Sequence, residues 1–178
     1  MLDDRPDFRV LFVCVGNICR SPLGEHLLRM SLPARGFHVS SAGVRALEGR
    51  PMSSEAIAEL ELRGGSAEGF RARHITDEII AESDLILTAT IQLRSQVLSE
   101  SPAALRRTFT VREFAALLDL VEAPTLPELV SSAAAARSRA VVDDYDIVDP
   151  YQRGVDVHAR AAALMAEAVA RIAKGLVP

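Results

Sequence analysis

Residues 8–30 read FRVLFVCVGNICRSPLGEHLLRM, and they predict a strand, a tight turn and a helix in direct succession. The stretch from Phe8 to Cys14 is apolar and rich in valine and phenylalanine, which is typical of a short buried strand. Gly16 and Asn17 follow as turn residues, and Pro22 suits the first turn of a helix, where a missing N–H group costs nothing. The chain therefore leaves a strand at Cys14 and is helical from about Pro22.

Strands and helices continue to alternate along the rest of the chain. Apolar periodicity and turn residues predict further strands over 37–41, 84–89 and 108–111, and helices over 53–63, 76–82, 90–98 and 113–120. A last amphipathic helix is predicted over 156–174, with Gly175 as its end signal. Because strands separated by helices form parallel sheets, the sequence predicts an α/β fold in a single domain spanning residues 1–178.

The loop CVGNICRS at residues 14–21 has the features of an oxyanion-binding site. Ligands of open parallel sheets bind beyond the carboxyl ends of the strands, and Cys14 lies at such an end. Backbone N–H groups at the start of the next helix point into the turn, where the helix dipole favours negative charge. Arg20 can fold over the anion and bind two of its oxygens. The loop residues expected to surround the anion with them are Val15, Gly16, Asn17, Ile18, Cys19 and Ser21.

Cys14 is the candidate nucleophile of this loop. The field that attracts an anion also favours the thiolate form of its side chain, which is the reactive form near neutral pH. Ser21 can donate a hydrogen bond to the thiolate, or stabilise it as a leaving group. A cysteine at a strand end is more often a packed apolar residue. The complete run between a strand and a helix, however, favours the chemical role.

Composition restricts the class of protein. The 178 residues are 49% hydrophobic and 25% charged, as in ordinary globular domains, and the formal net charge of -4 argues against a binder of nucleic acid or anionic membranes. No run approaches the roughly 20 apolar residues of a membrane span, and the N-terminal residues lack the basic start and apolar core of a signal peptide. The sequence thus predicts a cytoplasmic protein without a nucleic-acid or membrane partner.

Several segments resemble the low-molecular-weight protein-tyrosine phosphatases. The signature is VCVGNICRSP at residues 13–22, and the similarity continues in the family's order at residues 40–43 (SSAG), 72–76 (ARHIT), 84–86 (DLI) and 149–151 (DPY). The resemblance implies a three-layer α/β/α fold with a central, mainly four-stranded parallel sheet, the phosphotyrosine phosphatase I-like fold. It implies a protein-tyrosine phosphatase that forms a phosphocysteine intermediate on Cys14. The segment 122–146 makes the chain longer than a typical member and is predicted to be an insertion, either helical or a mobile loop.

The resemblance also implies roles for residues outside the loop. Asp149 would close over the site with its Asp-Pro-Tyr loop, acting first as general acid and then as base for water. Tyr151 would form part of the pocket wall. Leu47 is the expected substitute for the aromatic residue that often lines the family's substrate cleft. Ser41 is similar to the family's loop-bracing serine, the partner of the loop asparagine.

Two further positions bear on chemistry behind the loop. The resemblance implies that Cys19 can form a reversible disulfide with Cys14, protecting the nucleophile from irreversible oxidation. Phe70 stands where the family commonly has a histidine, which would remove one hydrogen bond from the network behind the loop. The four histidines show no ligand spacing, so no metal and no cofactor are expected.

Three other functions stay open. Arsenate reduction occurs on the same fold, but its thioredoxin-linked forms use two further cysteines, and this chain has two in all, so a small-thiol cofactor would be needed. Phosphoarginine phosphatases resemble the loop but carry threonine where Ile18 stands. A silent phosphoprotein-binding module should have lost Cys14 or Asp149.

The expected partners follow from the phosphatase prediction. They are a phosphotyrosine-containing protein, for which the resemblance offers a bacterial tyrosine kinase as one candidate, with inorganic phosphate as the product. The protein is expected to be a monomer or a weak dimer.

Overall fold

A four-stranded parallel sheet lies at the centre of the computed structural model, which describes residues 7–177. Its strands run in the order β2-β1-β3-β4, with β1 (Phe8–Cys14), β2 (Phe37–Gly43), β3 (Leu85–Thr88) and β4 (Thr108–Thr110). The helices are α1 (Arg20–Ser31), α2 (Ser54–Glu61), α3 (Asp77–Ala81), α4 (Ile91–Glu100), α5 (Val111–Leu117), α6 (Leu126–Ala135) and α7 (Val155–Leu176), with 3-10 turns at Pro102–Arg107 and Arg137–Arg139. The predicted α/β class and four-stranded parallel sheet are confirmed.

Both faces of the sheet are covered, which explains why β1 is apolar along nearly its whole length instead of alternating. Val10 and Phe12 pack into a large cluster with α1, α5 and α7, and Phe12 is fully buried. Leu11 and Val13 point to the other face, where they pack into a smaller cluster with α3 and α4. Helices on both sides give the three layers that the resemblance implied.

The order of the strands determines where a ligand can bind. From β1 the chain goes to β2 on one side, and it later returns to β3 on the other side. In open α/β sheets the crevice at the carboxyl ends of strands that diverge in this way is the usual ligand site. Cys14 ends β1 opposite Gly43 of β2, so loop 14–21 lies in that crevice.

Several element ends differ from the sequence predictions by one to three residues, and two of these differences have a clear physical reason. Val111 belongs to α5 and not to a strand, because Thr110 and Glu113 form a capping box that starts the helix there. The prediction that Gly175 ends the last helix is wrong, since α7 continues to Leu176. A Cβ on Gly175 would lie 2.8 Å from Leu118 Cδ1. This glycine therefore permits close packing and does not stop the helix.

The segment 122–146 contains a packed helix. Leu129 and Val130 of α6 are buried against the main core, and Arg137, which follows the helix, reaches back to β4. The Arg137 guanidinium donates to the Thr108 carbonyl at 2.7 Å and lies 4.5 Å from the centroid of the Phe109 ring. The α-helix covers Leu126–Ala135 of this segment, and its being an insertion stays a prediction. None of the helices within residues 7–177 combines the length and apolar character needed to cross a membrane.

Candidate active site

Loop 14–21 turns sharply at Asn17, which has a φ of +54° and is fully buried. Asparagine tolerates this left-handed conformation better than most residues, and here its side chain is bonded on both sides. Asn17 Nδ2 donates to Ser21 Oγ at 2.9 Å and to Ser41 Oγ at 2.8 Å, while Asn17 Oδ1 accepts from the Arg73 N–H at 2.9 Å. The predicted pair of Asn17 and Ser41 is therefore in direct contact.

The carbonyl groups of the loop are turned away from its concave side. Those of Cys14, Val15 and Gly16 accept from N–H groups of residues 44–47, and that of Ile18 accepts from Ser53. In a trans peptide the next N–H group points opposite to the carbonyl. The N–H groups of the loop therefore face inward, as an oxyanion site requires.

Gly43 packs directly against the backbone of the loop. An ideal Cβ at this position would lie 2.5 Å from Val15 O and 2.9 Å from Asn17 N, both of which are backbone atoms. We expect Gly43→Ala to push the loop outward, to cost about 1–3 kcal/mol of stability, and to weaken binding of inorganic phosphate. Urea unfolding and the inhibition constant of phosphate measure the two effects.

Gly154→Ala provides the matched control for this substitution, because a Cβ at Gly154 meets nothing within 4 Å. If Gly43→Ala bound phosphate as tightly as the wild type, the close packing at Gly43 would not be needed to hold the loop in place.

Arg20 connects the loop to the segment that carries the candidate acid. Its side chain is 4% exposed, its Nη1 donates to the Ile147 carbonyl at 2.9 Å, and its Nη2 lies 3.0 Å from Asp149 Oδ2. Its Nε is buried and has no hydrogen-bond partner among the described residues. An oxyanion in the loop would supply that partner, so the arrangement suits a phosphate group.

Asp149 lies on a segment that is hydrogen-bonded to the residue after β3. The Ile147 N–H donates to the Ala89 carbonyl at 2.8 Å, and Asp146 Oδ1 accepts from the Ile91 N–H at the start of α4, also at 2.8 Å. Asp146 therefore binds the first N–H group of α4, whose N-cap is Thr90. The Asp149 side chain is 48% exposed, which leaves it open to a substrate.

Apolar side chains stand beside the loop. An ideal Cβ on Gly16 would lie 3.7 Å from Ile18 and 3.9 Å from Leu47, so these two side chains flank the same glycine. Ile18 is buried, and Leu47 is 37% exposed. Tyr151 is 46% exposed, and its N–H donates to Asp149 Oδ1 at 3.2 Å, which places it next to the candidate acid.

Cys19 differs from Cys14 in its surroundings. Burial raises the pKa of the Cys19 thiol to about 11, and its sulfur lies 3.3 Å from Ser53 Oγ. It is therefore a neutral thiol at physiological pH and a poor nucleophile. Both cysteines are free thiols in the structure. The reversible disulfide between them stays a prediction.

Sequence reasoning missed Glu25, which lies behind the loop beside the packed His26. Glu25 is 7% exposed and accepts a hydrogen bond from Ser41 Oγ at 2.5 Å. His26 packs edge-on against Phe70, with ring centroids 5.8 Å apart, and burial lowers its pKa. A glutamate on a helix is usually solvated, so the sequence carried no signal for the burial of Glu25. Within residues 7–177, no three side chains of metal-binding type come together in a way that could hold an ion.

Comparisons with known proteins point to one family. The family model described as low molecular weight phosphotyrosine protein phosphatase matches residues 9–123. The probable low molecular weight protein-tyrosine-phosphatase EpsP of Ralstonia nicotianae is 29% identical over 160 residues, which cover 90% of each chain. The matched range of the model ends where segment 122–146 begins.

Solved structures of a tyrosine phosphatase and of an arginine phosphatase are both similar to this chain. The tyrosine phosphatase Wzb from Escherichia coli K30, in complex with sulphate, has a TM-score of 0.75 and 27% identity over 96% of this chain and 99% of its own. The YwlE arginine phosphatase from Geobacillus stearothermophilus has a TM-score of 0.74 and 28% identity over 95% of this chain and 92% of its own. Overall similarity therefore does not separate a tyrosine from an arginine substrate.

Proposed function

Since the chain belongs to the low molecular weight phosphotyrosine protein phosphatase family, whose members are hydrolases, we propose that it hydrolyses phosphotyrosine in proteins through a phosphocysteine on Cys14. The observation that carries the proposal is that Cys14, Arg20 and Asp149 lie together in the same crevice. Arg20 lies 3.0 Å from Asp149, and both belong to segments that meet at the carboxyl end of β1 and β3. A nucleophile, an anion-binding arginine and a proton donor are the groups that this reaction needs.

The first step transfers the phosphoryl group to sulfur. The inward N–H groups of the loop and Arg20 hold the three non-bridging oxygens and stabilise their charge in the transition state. The Cys14 thiolate attacks phosphorus, the S–P bond forms and the bond from phosphorus to the phenolic oxygen breaks. Asp149 gives its proton to that oxygen, so a neutral phenol leaves.

The second step returns the enzyme to its starting state. A water molecule attacks phosphorus, and the ionised Asp149 takes one of its protons. The S–P bond breaks, inorganic phosphate is released and the Cys14 thiolate is restored. Ser21 Oγ lies 2.9 Å from the sulfur and can stabilise it as it leaves.

The proposal is tested by hydrolysis of an aryl phosphate in the presence of EDTA, with acid quenching and mass spectrometry of the protein. We expect turnover without added metal and a mass increase of one phosphoryl group on the peptide that contains Cys14. A wild-type protein that shows neither would overturn the proposal. Arsenite formation from arsenate with glutathione, in place of aryl phosphate turnover, would support the reductase alternative instead.

Tyrosine is favoured over phosphoarginine by the apolar pair beside Gly16. Leu47 is partly exposed and Ile18 packs beside the same glycine, so this side of the loop is apolar and suits a phenyl ring, whereas a guanidinium group needs polar partners. A phosphotyrosine-containing protein is therefore the proposed substrate, in particular a bacterial tyrosine kinase. The proposed location is the cytoplasm, and the proposed state is a monomer or a weak dimer.

Ile18→Thr tests the choice of substrate. This substitution removes an apolar contact and adds a hydroxyl, so we expect the preference for phosphotyrosine over phosphoarginine peptides to fall about 10-fold. The measurement is kcat/KM on matched peptides of both kinds. Ile18→Val keeps a branched apolar side chain and should retain most of the preference. An unchanged ratio in Ile18→Thr would show that position 18 does not select the substrate.

A further inference from the structure

Pro150, which follows the candidate acid, is buried, whereas the Asp149 side chain is 48% exposed. On the other side of the acid, Ile147 is fully buried and is held by hydrogen bonds to Ala89 and Arg20. Pro150 has no N–H group to donate, and its carbonyl is used in the turn that follows, so packing holds it against the rest of the protein. The position of the Asp149 carboxyl therefore depends on hydrogen bonds at one end and on the surroundings of Pro150 at the other.

A small cavity beside Pro150 shows which groups surround this proline. Besides Pro150, its lining comes from the start of α1, from α2 and from the first turns of α7: Cys19, Arg20, Leu23, Ala56, Glu59, His158, Ala161 and Ala162. The volume left free is about 10 Å³, which is hardly enough for one water molecule. Pro150 therefore nearly fills the space that these helices leave between them.

His158 is the lining residue whose contribution to this packing can be measured separately. The two charged side chains of the lining each form an ion pair at their tips. Leu23 and His158 are the other large side chains, and both are buried. Leu23 also belongs to the main core, so its loss would disturb α1 as well. His158 lies in the first turn of α7 and is 5% exposed.

We propose that His158 is a positioning residue, whose ring keeps Pro150 in place so that the Asp149 carboxyl stays within reach of the leaving oxygen. The proposal rests on the proposed function, in which Asp149 protonates the leaving phenolate. A proton donor must lie about 2.6–3.2 Å from the oxygen that it serves, and a displacement of about 1 Å can cost up to about 10²-fold in rate.

Binding of the phosphate group should not depend on the His158 ring. The carbonyls of the anion-binding loop are held by N–H groups of residues 44–47 and of Ser53, and Arg20 is held by the Ile147 carbonyl. Loss of the ring should therefore weaken proton donation and leave the affinity for the anion unchanged.

His158→Ala tests the proposal on two substrates. Phenyl phosphate has a leaving group that needs a proton, whereas dinitrophenyl phosphate has an acidic phenol that leaves without one. We expect kcat/KM to fall about 10-fold on phenyl phosphate and less than about twofold on dinitrophenyl phosphate. The inhibition constant of inorganic phosphate should stay within about twofold, since the groups that bind it keep their contacts.

Two further variants separate positioning from a general loss of stability. His158→Phe keeps a flat ring in the same place and should recover most of the activity on phenyl phosphate. Met165→Ala is the matched control, because Met165 lies on the same helix, is 1% exposed and packs near Gly24, outside the lining of the cavity. It should lower the melting temperature at least as much as His158→Ala, without changing the ratio of kcat/KM between the two substrates.

A double variant tests whether the ring acts through Pro150. Pro150→Ala removes the proline ring itself and should also lower kcat/KM on phenyl phosphate more than on dinitrophenyl phosphate. If His158 works through Pro150, the double variant should be no slower than Pro150→Ala alone. Losses that add up would mean that His158 acts by another route, which would overturn the proposal.

The outcomes separate this proposal from the proposed function. If Asp149→Asn shows the dependence on the leaving group and His158→Ala does not, the positioning role is wrong and the function stands. An equal loss on both substrates in His158→Ala would make His158 a merely structural residue, which also overturns the proposal. A wild type that hydrolyses neither substrate would overturn the proposed function, and the positioning role with it.

Discussion

Cys14→Ser is expected to lower kcat on aryl phosphates on the order of 10⁴-fold or more, because an un-ionised alcohol replaces the thiolate as nucleophile. The rest of the anion site is unchanged in this variant. The loop N–H groups still face inward, and Arg20 keeps its contact with the Ile147 carbonyl. Inorganic phosphate should therefore bind with nearly the affinity of the wild type. Steady-state kinetics and competition by phosphate measure the two properties separately.

Cys19→Ser is the matched control for this prediction. It makes the same atomic change five residues further along the chain, at a buried thiol that faces Ser53. Because burial keeps Cys19 protonated, its sulfur takes no part in attack on phosphorus, and most activity should remain. Full activity in Cys14→Ser, or an equal loss in both variants, would remove Cys14 from the mechanism.

Asp149→Asn is expected to lower kcat/KM on phosphotyrosine peptides by roughly 10²–10⁴-fold, because the phenolate then leaves without a proton. The loss should shrink as the leaving phenol becomes more acidic, since such a phenolate needs no proton donor. Asparagine still has a side-chain carbonyl that can accept from Arg20, so the loop should keep its place. The measurement is kcat/KM on a series of aryl phosphates whose phenols differ in acidity.

Asp146→Asn provides the comparison within the same segment. Asp146 accepts from the Ile91 N–H at the start of α4, and the side-chain carbonyl of asparagine can accept the same hydrogen bond. Activity should therefore be close to that of the wild type on every substrate. A loss in Asp149→Asn that is the same for all leaving groups would indicate a structural role for Asp149 instead of proton donation.

The sequence was most informative where local chemistry decides the structure. Loop 14–21 was predicted as an anion site because a strand, two turn residues and a helix-starting proline follow one another directly. Element ends were less accurate. Thr110 and Glu113 have the spacing of a capping box, and the prediction of a strand over 108–111 overlooked this local signal for the start of the helix. Gly175 was taken for a helix end because its contact with Leu118 comes from a distant part of the chain.

Among the site residues, those brought together by the fold were hardest to predict from residue types alone. Asp149 was identified through a family resemblance, because an Asp-Pro pair by itself most often marks only a turn. Its contact with Arg20 depends on the Ile147 segment bonding to the end of β3. Glu25 was not predicted, because its burial depends on Ser41 arriving from β2.

The sequence by itself determined the strand, the anion-binding turn and the nucleophile, because these follow from neighbouring residues and from the direction of a helix dipole. Only the tertiary structure decided which partners surround that turn. Arg20, Asp149 and Glu25 acquire their partners across long stretches of chain. Pairing in the sheet and packing of α1 create those contacts, and they leave no periodic signal in the order of the residues.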